Sequence, residues 1–425
     1  MKTDFKIAVV GLGYVGLPLL CLISKKKIKA SGFDIDEKKI KKLKKNISYI
    51  SDVNPKDLRL LNKKDLYSLK NINKIKHCNY IIFCLPTPLT KNNAPDVSII
   101  KQSFDKLKNH LVEGQTIILE STVYPGATKK IFHDFLEKRF DLGKNFFYGY
   151  SSERISPGQT DKKFYKIQYQ DITKVISGYD NNSINKILKL YSKIFKKIFI
   201  AKNIEVAEMS KLLENAYRAV NIGLVNELKV VCEKVGLDIN AVIDAASTKP
   251  FGYNTFRPGP GVGGHCIPID PVFISWVAKK NNYRARFIEL ARRTNLNITQ
   301  WTINKIINLI KKKYNSLKIR ILVIGVSYKP DVNDIRESPS VNIFLNLLKK
   351  INKVDFYDPY IPFFEKVRKN YYSINNLSRI NKYDLVLILT DHSNLNYKHI
   401  LMESKLIVDT RGVYKNIKNE KIFNF

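Results

Sequence analysis

Acidic residues are scarce in this sequence: lysine and arginine number 73 against 38 aspartates and glutamates, a formal net charge of +35. Cysteine is scarce too. Cys21, Cys78, Cys84, Cys232 and Cys266 are an odd set, widely spaced, with no Cys-x-x-Cys pair. That excludes a disulfide framework and a zinc ribbon, predicts no metal site, and fits reduced thiols in a cytoplasmic protein. No apolar run approaches the ~18–20 residues that a bilayer span needs, so no membrane association is expected. The N-terminus runs straight into a strand pattern, which argues against a signal or transit peptide. Low-complexity stretches are also missing. The basic excess would suit nucleic acid, but the lysines are scattered among many Asn and Ile, residues that AT-rich codons favour. The run from Lys38 to Lys45 places Ile40 and Leu43 at helical spacing and reads as a solvated helix face. No nucleic-acid partner is expected; the charge favours small anionic substrates, nucleotide diphosphates included.

What is present is a foldable chain. Its 425 residues are 44% hydrophobic and 11% aromatic, enough for two or three domains. In residues 1–202, short apolar runs at 7–10, 30–33, 80–85, 116–119, 146–150 and 174–177 alternate with amphipathic stretches, the pattern of a parallel sheet covered by helices. Residues 203–314 read as a central helical domain, opening with a proline-free stretch from Glu205 to Val235 that stops at Gly236. Residues 315–425 return to strand–helix alternation, with strands expected at 319–326, 354–357, 385–389 and 406–409. The expected class is therefore α/β, two parallel-sheet domains joined by a helical one with a long helix.

The first strand pattern runs into Gly11-Leu12-Gly13-Tyr14-Val15-Gly16, a G-x-G-x-x-G with an apolar helix start after it. These glycines permit a tight turn and let a pyrophosphate approach the helix N-terminus, where free N–H groups and the macrodipole favour an anion. The next strand ends in Asp34, placed to accept hydrogen bonds from ribose hydroxyls and to repel a 2′-phosphate, so NAD is favoured over NADP. Both sheet domains are thus expected to be Rossmann-like. Lys39 reaches the same region. Ligands of such sheets sit beyond the carboxyl ends of the strands, which makes Thr87 and Thr122 cofactor neighbours.

A second chemical feature is the loop Gly259-Pro260-Gly261-Val262-Gly263-Gly264-His265-Cys266-Ile267-Pro268-Ile269-Asp270. A thiol held among glycines can attack a carbonyl, and Asp270 supplies a carboxylate beside it. In the long helix Lys211, Asn215 and Arg218 are spaced i, i+4, i+7 and share a face. Ser151-Ser152-Glu153-Arg154-Ile155 follows a strand, with Glu153 suited to acid–base work and Arg154 to an anion. Gly325-Val326-Ser327-Tyr328-Lys329-Pro330 and Asp409-Thr410-Arg411-Gly412 follow strands of the last domain, and Arg336 lies a short loop after the former.

On these motifs the chain resembles the nucleotide-sugar 6-dehydrogenases, the family of UDP-glucose, GDP-mannose and UDP-N-acetylhexosamine dehydrogenases, from about Lys6 to Gly412. The wording Thr248-Lys249-Pro250-Phe251-Gly252, the Cys266 loop and Gly325 to Ser338 are most similar to the UDP-N-acetylglucosamine/galactosamine branch. UDP-glucose enzymes typically carry Ser at the place of His265. The resemblance implies a four-electron oxidation of C6 with NAD. Cys266 corresponds to the nucleophile, Asp270 to the acid assisting proton transfer, and Lys211 and Asn215 to the groups holding the C6 oxygen. Glu153 corresponds to the residue for thioester hydrolysis, and Thr122 lies by the catalytic water and NAD. Arg154, Ile155, Arg218, Gly263, Tyr328, Lys329 and Arg411 correspond to substrate contacts and Arg336 to a cofactor contact. Arg257 and Lys249 are implied to reach the substrate of a neighbouring subunit in a homodimer or higher oligomer. One departure stands out: the family usually has proline where Ser152 is, which loosens the turn carrying Glu153.

The expected function is oxidation of a UDP-N-acetylhexosamine, UDP-N-acetylglucosamine first, to its uronate for surface polysaccharide synthesis. UDP-N-acetylmannosamine and UDP-glucose are the alternatives. A β-hydroxyacid dehydrogenase would share the first domain but needs neither Cys266 nor the last one.

Overall fold

Eight short strands build the first sheet of the computed structural model, which describes residues 5–50, 53–154 and 168–425. They are β1 (Lys6–Val10), β2 (Lys29–Asp34), β3 (Leu66–Ser68), β4 (Tyr80–Phe83), β5 (Thr116–Leu119), β6 (Phe147–Ser152), β7 (Lys174–Gly178) and β8 (Ile198–Ile200). Their order is β3-β2-β1-β4-β5-β6-β7-β8. The order reverses between β1 and β4, the switch point at which a doubly wound sheet opens a crevice at its strand ends. Every pairing is parallel except β6 with β7. Both sheet faces are covered, so the strands bury alternate residues in two cores. Ala8, Val10, Ile81, Phe83, Ile117 and Leu119 face one, and Ile7, Val9, Tyr80, Ile82 and Ile118 the other. That explains the unbroken apolar runs in place of alternation.

The chain divides into two compact units, residues 1–214 with 272–284, and residues 215–271 with 285–425. The long helix Ile204–Lys234 begins in the first and ends in the second. Within the second unit a further sheet holds β9 (Arg320–Ile324), β10 (Lys353–Tyr357), β13 (Leu385–Ile388), β14 (Ile407–Asp409) and β15 (Ile422–Asn424), all parallel in the order β10-β9-β13-β14-β15. A hairpin of β11 (Phe363–Lys366) and β12 (Lys369–Tyr372) stands apart from it. Leu322, Ile324, Val386 and Ile388 face one core, and Ile321, Val323, Leu385 and Leu387 the other. The helix Arg286–Tyr314 lays Ile303, Ile306, Ile307 and Ile310 on that second core, the i, i+3, i+4, i+7 stripe of an amphipathic helix.

The structure departs from the expected elements in informative places. Strand β6 runs through Ser152 instead of stopping at Tyr150, because antiparallel pairing with β7 carries it on to the Ser152–Val175 pair. Strands β3, β8 and β15, of three residues each, and the four-residue strands of the hairpin are too short to register as sequence patterns. Helix Ile239–Ala246, capped by the Asp238 side chain on the Asn240 N–H, is a further element beyond the expected ones. Among the described residues no helix is long and apolar enough to cross a membrane.

Candidate active site

The dinucleotide corner is built by sterics first. A Cβ on Gly16 would lie 1.9 Å from the Gly11 carbonyl oxygen, so the helix Gly16–Lys25 can start this close to the turn only with glycine there. A Cβ on Gly13, by contrast, would meet no atom within 4 Å, which leaves open space at the helix N-terminus for an anion. Tyr14 and Val15 complete the turn. Asp34 closes the corner: its Oδ2 accepts the Leu12 N–H (2.9 Å) and its Oδ1 the Asp36 N–H (2.9 Å). The Lys39 ammonium stands 3.5 Å from Asp34 Oδ2, and the Tyr49 hydroxyl ties down the Leu12 carbonyl at 2.6 Å. The open face at Gly13, the helix N-terminus and the strand-end carboxylate fit a dinucleotide, and Gly11, Gly13, Gly16 and Asp34 are the residues that would hold it.

Further along the same strand-end edge, Thr87 donates from Oγ1 to the Thr122 carbonyl (2.7 Å), so the two expected neighbours are in contact. Glu208 fixes the start of the long helix against this edge. It accepts from the N–H groups of Gly126 (2.5 Å) and Thr128 (2.9 Å) and from the Thr128 hydroxyl (2.6 Å), capping the helix Ala127–Glu137 from a distance. Burial pushes its carboxyl up to about 7, against those three hydrogen bonds. Lys211 sits one turn further on and is buried. Asn215 and Arg218 follow it from half-buried to exposed.

Glu153 is buried at the end of β6. The Lys174 ammonium is 3.1 Å from its Oε2, the Tyr169 hydroxyl donates to the same oxygen, and the Arg154 N–H reaches Oε1. The Arg154 guanidinium is paired with Glu214 through Nε (2.8 Å) and Nη2 and donates to the Thr173 carbonyl at 3.0 Å. Ile155 lies outside the described residues.

The cysteine loop is set within the second unit. Gly264 has φ +89, and a Cβ there would fall 2.8 Å from the Tyr328 ring, so the loop lies flat on that ring only as glycine. Gly263 packs on the Tyr328 side chain as well, and the Gly264 N–H donates to the Arg336 carbonyl (2.9 Å). Cys266 is half-buried. Its carbonyl accepts the N–H groups of Ile269 (3.1 Å) and Asp270 (2.8 Å), a turn that leads into the helix Asp270–Lys280. Asp270 is 2% exposed, and Asn215 donates to its Oδ2 at 2.5 Å. The structure therefore brings Asn215, Asp270 and the Cys266 turn together. Burial, then the Arg336 cation, pushes His265, the residue before Cys266, below its ordinary pKa, which favours a neutral imidazole.

The expected cofactor contact Arg336 and the expected substrate arginines Arg411 and Arg257 each carry a carboxylate partner. Arg336 chelates Asp334 (2.7–3.0 Å), Arg411 pairs with Asp391 (2.8 Å), and Arg257 pairs with Asp244, which Lys415 shares at 2.8 Å. Tyr328 is placed by its N–H on the Asp334 carbonyl (3.0 Å), and the Lys329 carbonyl accepts the Ser327 hydroxyl (2.9 Å). Glu214, Asp391, Asp244, Lys174 and Tyr169 were not singled out in the sequence. Glu214 had one available signal, its place beside Asn215 on the helix; the others are recognisable only from their partners.

Comparison with known proteins identifies the family of the chain. The family models of the UDP-glucose/GDP-mannose dehydrogenases match along the chain: the NAD binding domain over residues 5–195, the central domain over 205–297 and the UDP binding domain over 322–416. A UDP-N-acetyl-D-glucosamine 6-dehydrogenase of Pseudomonas aeruginosa is 31% identical across 96% of this chain and 98% of its own. A UDP-N-acetyl-D-mannosamine dehydrogenase of Methanococcus vannielii is 34% identical across 98% and 94%. The solved structure of a UDP-D-ManNAc dehydrogenase from Pyrococcus horikoshii superposes with a TM-score of 0.85 at 27% identity, covering 99% of both chains. The chain belongs to the UDP-glucose/GDP-mannose dehydrogenase family and is an NAD-dependent oxidoreductase.

Proposed function

We propose that this protein oxidises the C6 hydroxyl of UDP-N-acetylglucosamine to the carboxylate, through a thioester on Cys266. The observation that carries the reading is the Cys266 turn with Asp270 beneath it and Asn215 on the Asp270 carboxylate, in a chain of UDP-N-acetylhexosamine dehydrogenase likeness over its whole length. NAD supplies the hydride acceptor for both oxidations. Lys211 and Asn215 hold the C6 oxygen and stabilise its negative charge as it develops. In the aldehyde stage Cys266 sulfur bonds to C6, so that a hydrogen on C6 can leave as hydride and a thioester results. Water then adds to the thioester carbon, Glu153 takes a proton from it, the C–S bond breaks and the thiolate returns. Asp270 serves the proton transfers through water.

Thr87, Thr122, Lys39 and Arg336 complete the cofactor contacts, and Arg154, Arg218, Gly263, Tyr328, Lys329 and Arg411 the UDP-sugar contacts. The three family matches favour the division at about residues 202 and 314. Exposed Leu213, Tyr217, Leu224 and Val231 on the long helix suit a homodimer in which Arg257 serves the neighbouring site. Cysteines that form no disulfide among the described residues suit the cytoplasm. The second reading is the manno epimer, favoured by the M. vannielii and P. horikoshii relatives.

The test is NADH formed per sugar consumed, with UDP-N-acetylglucosamine, UDP-N-acetylmannosamine or UDP-glucose limiting. Two NADH per sugar, fastest with the gluco epimer, is the expected result. Faster turnover of the manno epimer replaces the substrate, and one NADH per sugar removes the thioester scheme. Cys266→Ser should retain NAD binding and lose acid formation.

A further inference from the structure

Lys174 is the first residue of β7, and its ammonium is 3% exposed. It bridges two carboxylates, Glu120 Oε2 at 3.0 Å and Glu153 Oε2 at 3.1 Å, themselves 0% and 5% exposed. The antiparallel register makes this meeting: Ser152 pairs with Val175, so one position further on Glu153, just past β6, and Lys174, at the start of β7, stand side by side. Glu120 arrives one residue past β5. Tyr169 donates its hydroxyl to Glu153 and Tyr191 to Glu120, and the rings of Tyr191 and Phe195 stand 5.3 Å and 5.1 Å from the ammonium. The buried Cys84 thiol completes the surroundings; burial, then Glu120, raises its pKa and keeps it neutral.

A buried triad of two acids and one base is costly. Its desolvation is offset only by good geometry, and an apolar replacement of equal volume is often at least as stable. Stability alone therefore gives little reason to place one here, at the strand-end edge where Glu153 stands. We infer that Lys174, with Glu120 and the hydroxyls of Tyr169 and Tyr191, is the positioning apparatus of Glu153, keeping that carboxylate ionised and oriented for the release of acid product. This rests on the proposed role of Glu153 in thioester hydrolysis. The division of labour within the triad follows from burial. Glu120 is the deeper acid, and burial pushes its carboxyl up to about 7 against the pull of Lys174, while Glu153 lies slightly nearer the surface with Tyr169, Lys174 and the Arg154 N–H as its donors. Without the ammonium, two adjacent buried carboxylates would share the site, and Glu153 would hold its proton to higher pH.

The experiment follows acid release in Lys174→Met, Lys174→Arg and Glu153→Gln, with intact-mass detection of the Cys266 adduct and a pH profile of turnover. Lys174→Met is expected to slow acid release about tenfold or more, accumulate the adduct and move the acid limb up by about one unit, with KM for both substrates within about twofold. Lys174→Arg is expected to restore most of the rate. Uniform slowing with an unmoved acid limb and no adduct overturns the inference. Glu153→Gln separates the two ideas. If it accumulates adduct and Lys174→Met does not, the positioning role alone falls; if it accumulates none, the hydrolytic role of Glu153 falls and the inference with it. If Lys174→Met does not fold, Tyr169→Phe decides: an acid limb shifted upward supports the apparatus, and an unchanged one overturns it.

Discussion

The two sheets are each built around the same kind of corner and use it differently. In each, a glycine follows the first strand and its N–H reaches a carbonyl near the end of the next: Gly11 to Phe33 (2.8 Å) and Gly325 to Tyr357 (2.9 Å). In each, an aspartate follows that carbonyl and accepts an N–H from the glycine loop, Asp34 from Leu12 (2.9 Å) and Asp358 from Val326 (2.8 Å). There the likeness stops. Asp358 also accepts from the N–H groups of Ser327, Tyr360 and Ile361 and from His392 Nε2 at 3.1 Å. The Asp331 N–H donates to His392 Nδ1 (3.1 Å), so the ring proton is left on Nε2 to face Asp358. A carboxylate offers about four lone-pair sites, and those of Asp358 are taken. Asp34 holds two N–H groups and a half-exposed lysine, which leaves acceptor capacity for ribose hydroxyls. The helix differs as well: one starts at Gly16, at the turn itself, whereas in the second sheet the next helix begins only at Pro339. A strand-end aspartate is left open to a ligand or becomes a structural post according to who satisfies it.

The comparison is open to four tests, taken from the largest expected effect down. Asp358→Ala strands four N–H groups and His392, and should lower stability by about 3 kcal/mol or more while leaving the KM for NAD within about twofold. Thermal unfolding and steady-state kinetics read both. A large NAD defect in that variant would break the contrast. Asp34→Ala should do the reverse, raising the KM for NAD about tenfold or more with a stability loss near 1 kcal/mol. The third test concerns pH. Burial works to raise the Asp358 carboxyl, but His392 and the N–H donors outweigh it and hold the group below its ordinary range. A depressed folded-state value means that stability is present above the ordinary carboxylate pKa and lost as pH falls through the lowered one. Glu120 has the opposite sign. Burial, only partly countered by Lys174, raises it from 4.5 to about 7, so its stability contribution is full below 4.5 and lost as pH rises through about 7. The melting temperature of the wild type should therefore fall relative to Glu120→Gln between those values and run level with it above. Lys39→Ala should give the smallest change, below about threefold in the KM for NAD, because its half-exposed ammonium stands 3.5 Å from a carboxylate that two N–H groups already hold, and a solvent-screened partner contributes under about 1 kcal/mol.

How much was legible depended on the range of the interaction. The glycine loops were plain because a tight turn at Gly16 and a ring-flat loop at Gly264 restrict residue type locally. The buried strands were plain because Ile, Val and Phe must fill both faces of a covered sheet. Asp34 was found from its spacing after the loop, while Asp358, its counterpart, was passed over because no glycine-rich motif precedes it. The turn expected at Ser152 was displaced by pairing with a strand more than twenty residues away, a partner that local pattern does not announce.

The sequence by itself determined the α/β class, the dinucleotide loop, the long helix and the cysteine among its glycines, all of which follow from backbone sterics and hydrophobic period. Only the tertiary structure decided which charge meets which. Arg154 with Glu214, Arg411 with Asp391, Asp358 with His392 and Lys174 with two glutamates are 60, 20, 34 and, for Glu153, 21 positions apart. A carboxylate's neighbours set whether it is structural, ionised or open to a ligand. Those neighbours come from strand order and register, which no local stretch of sequence carries.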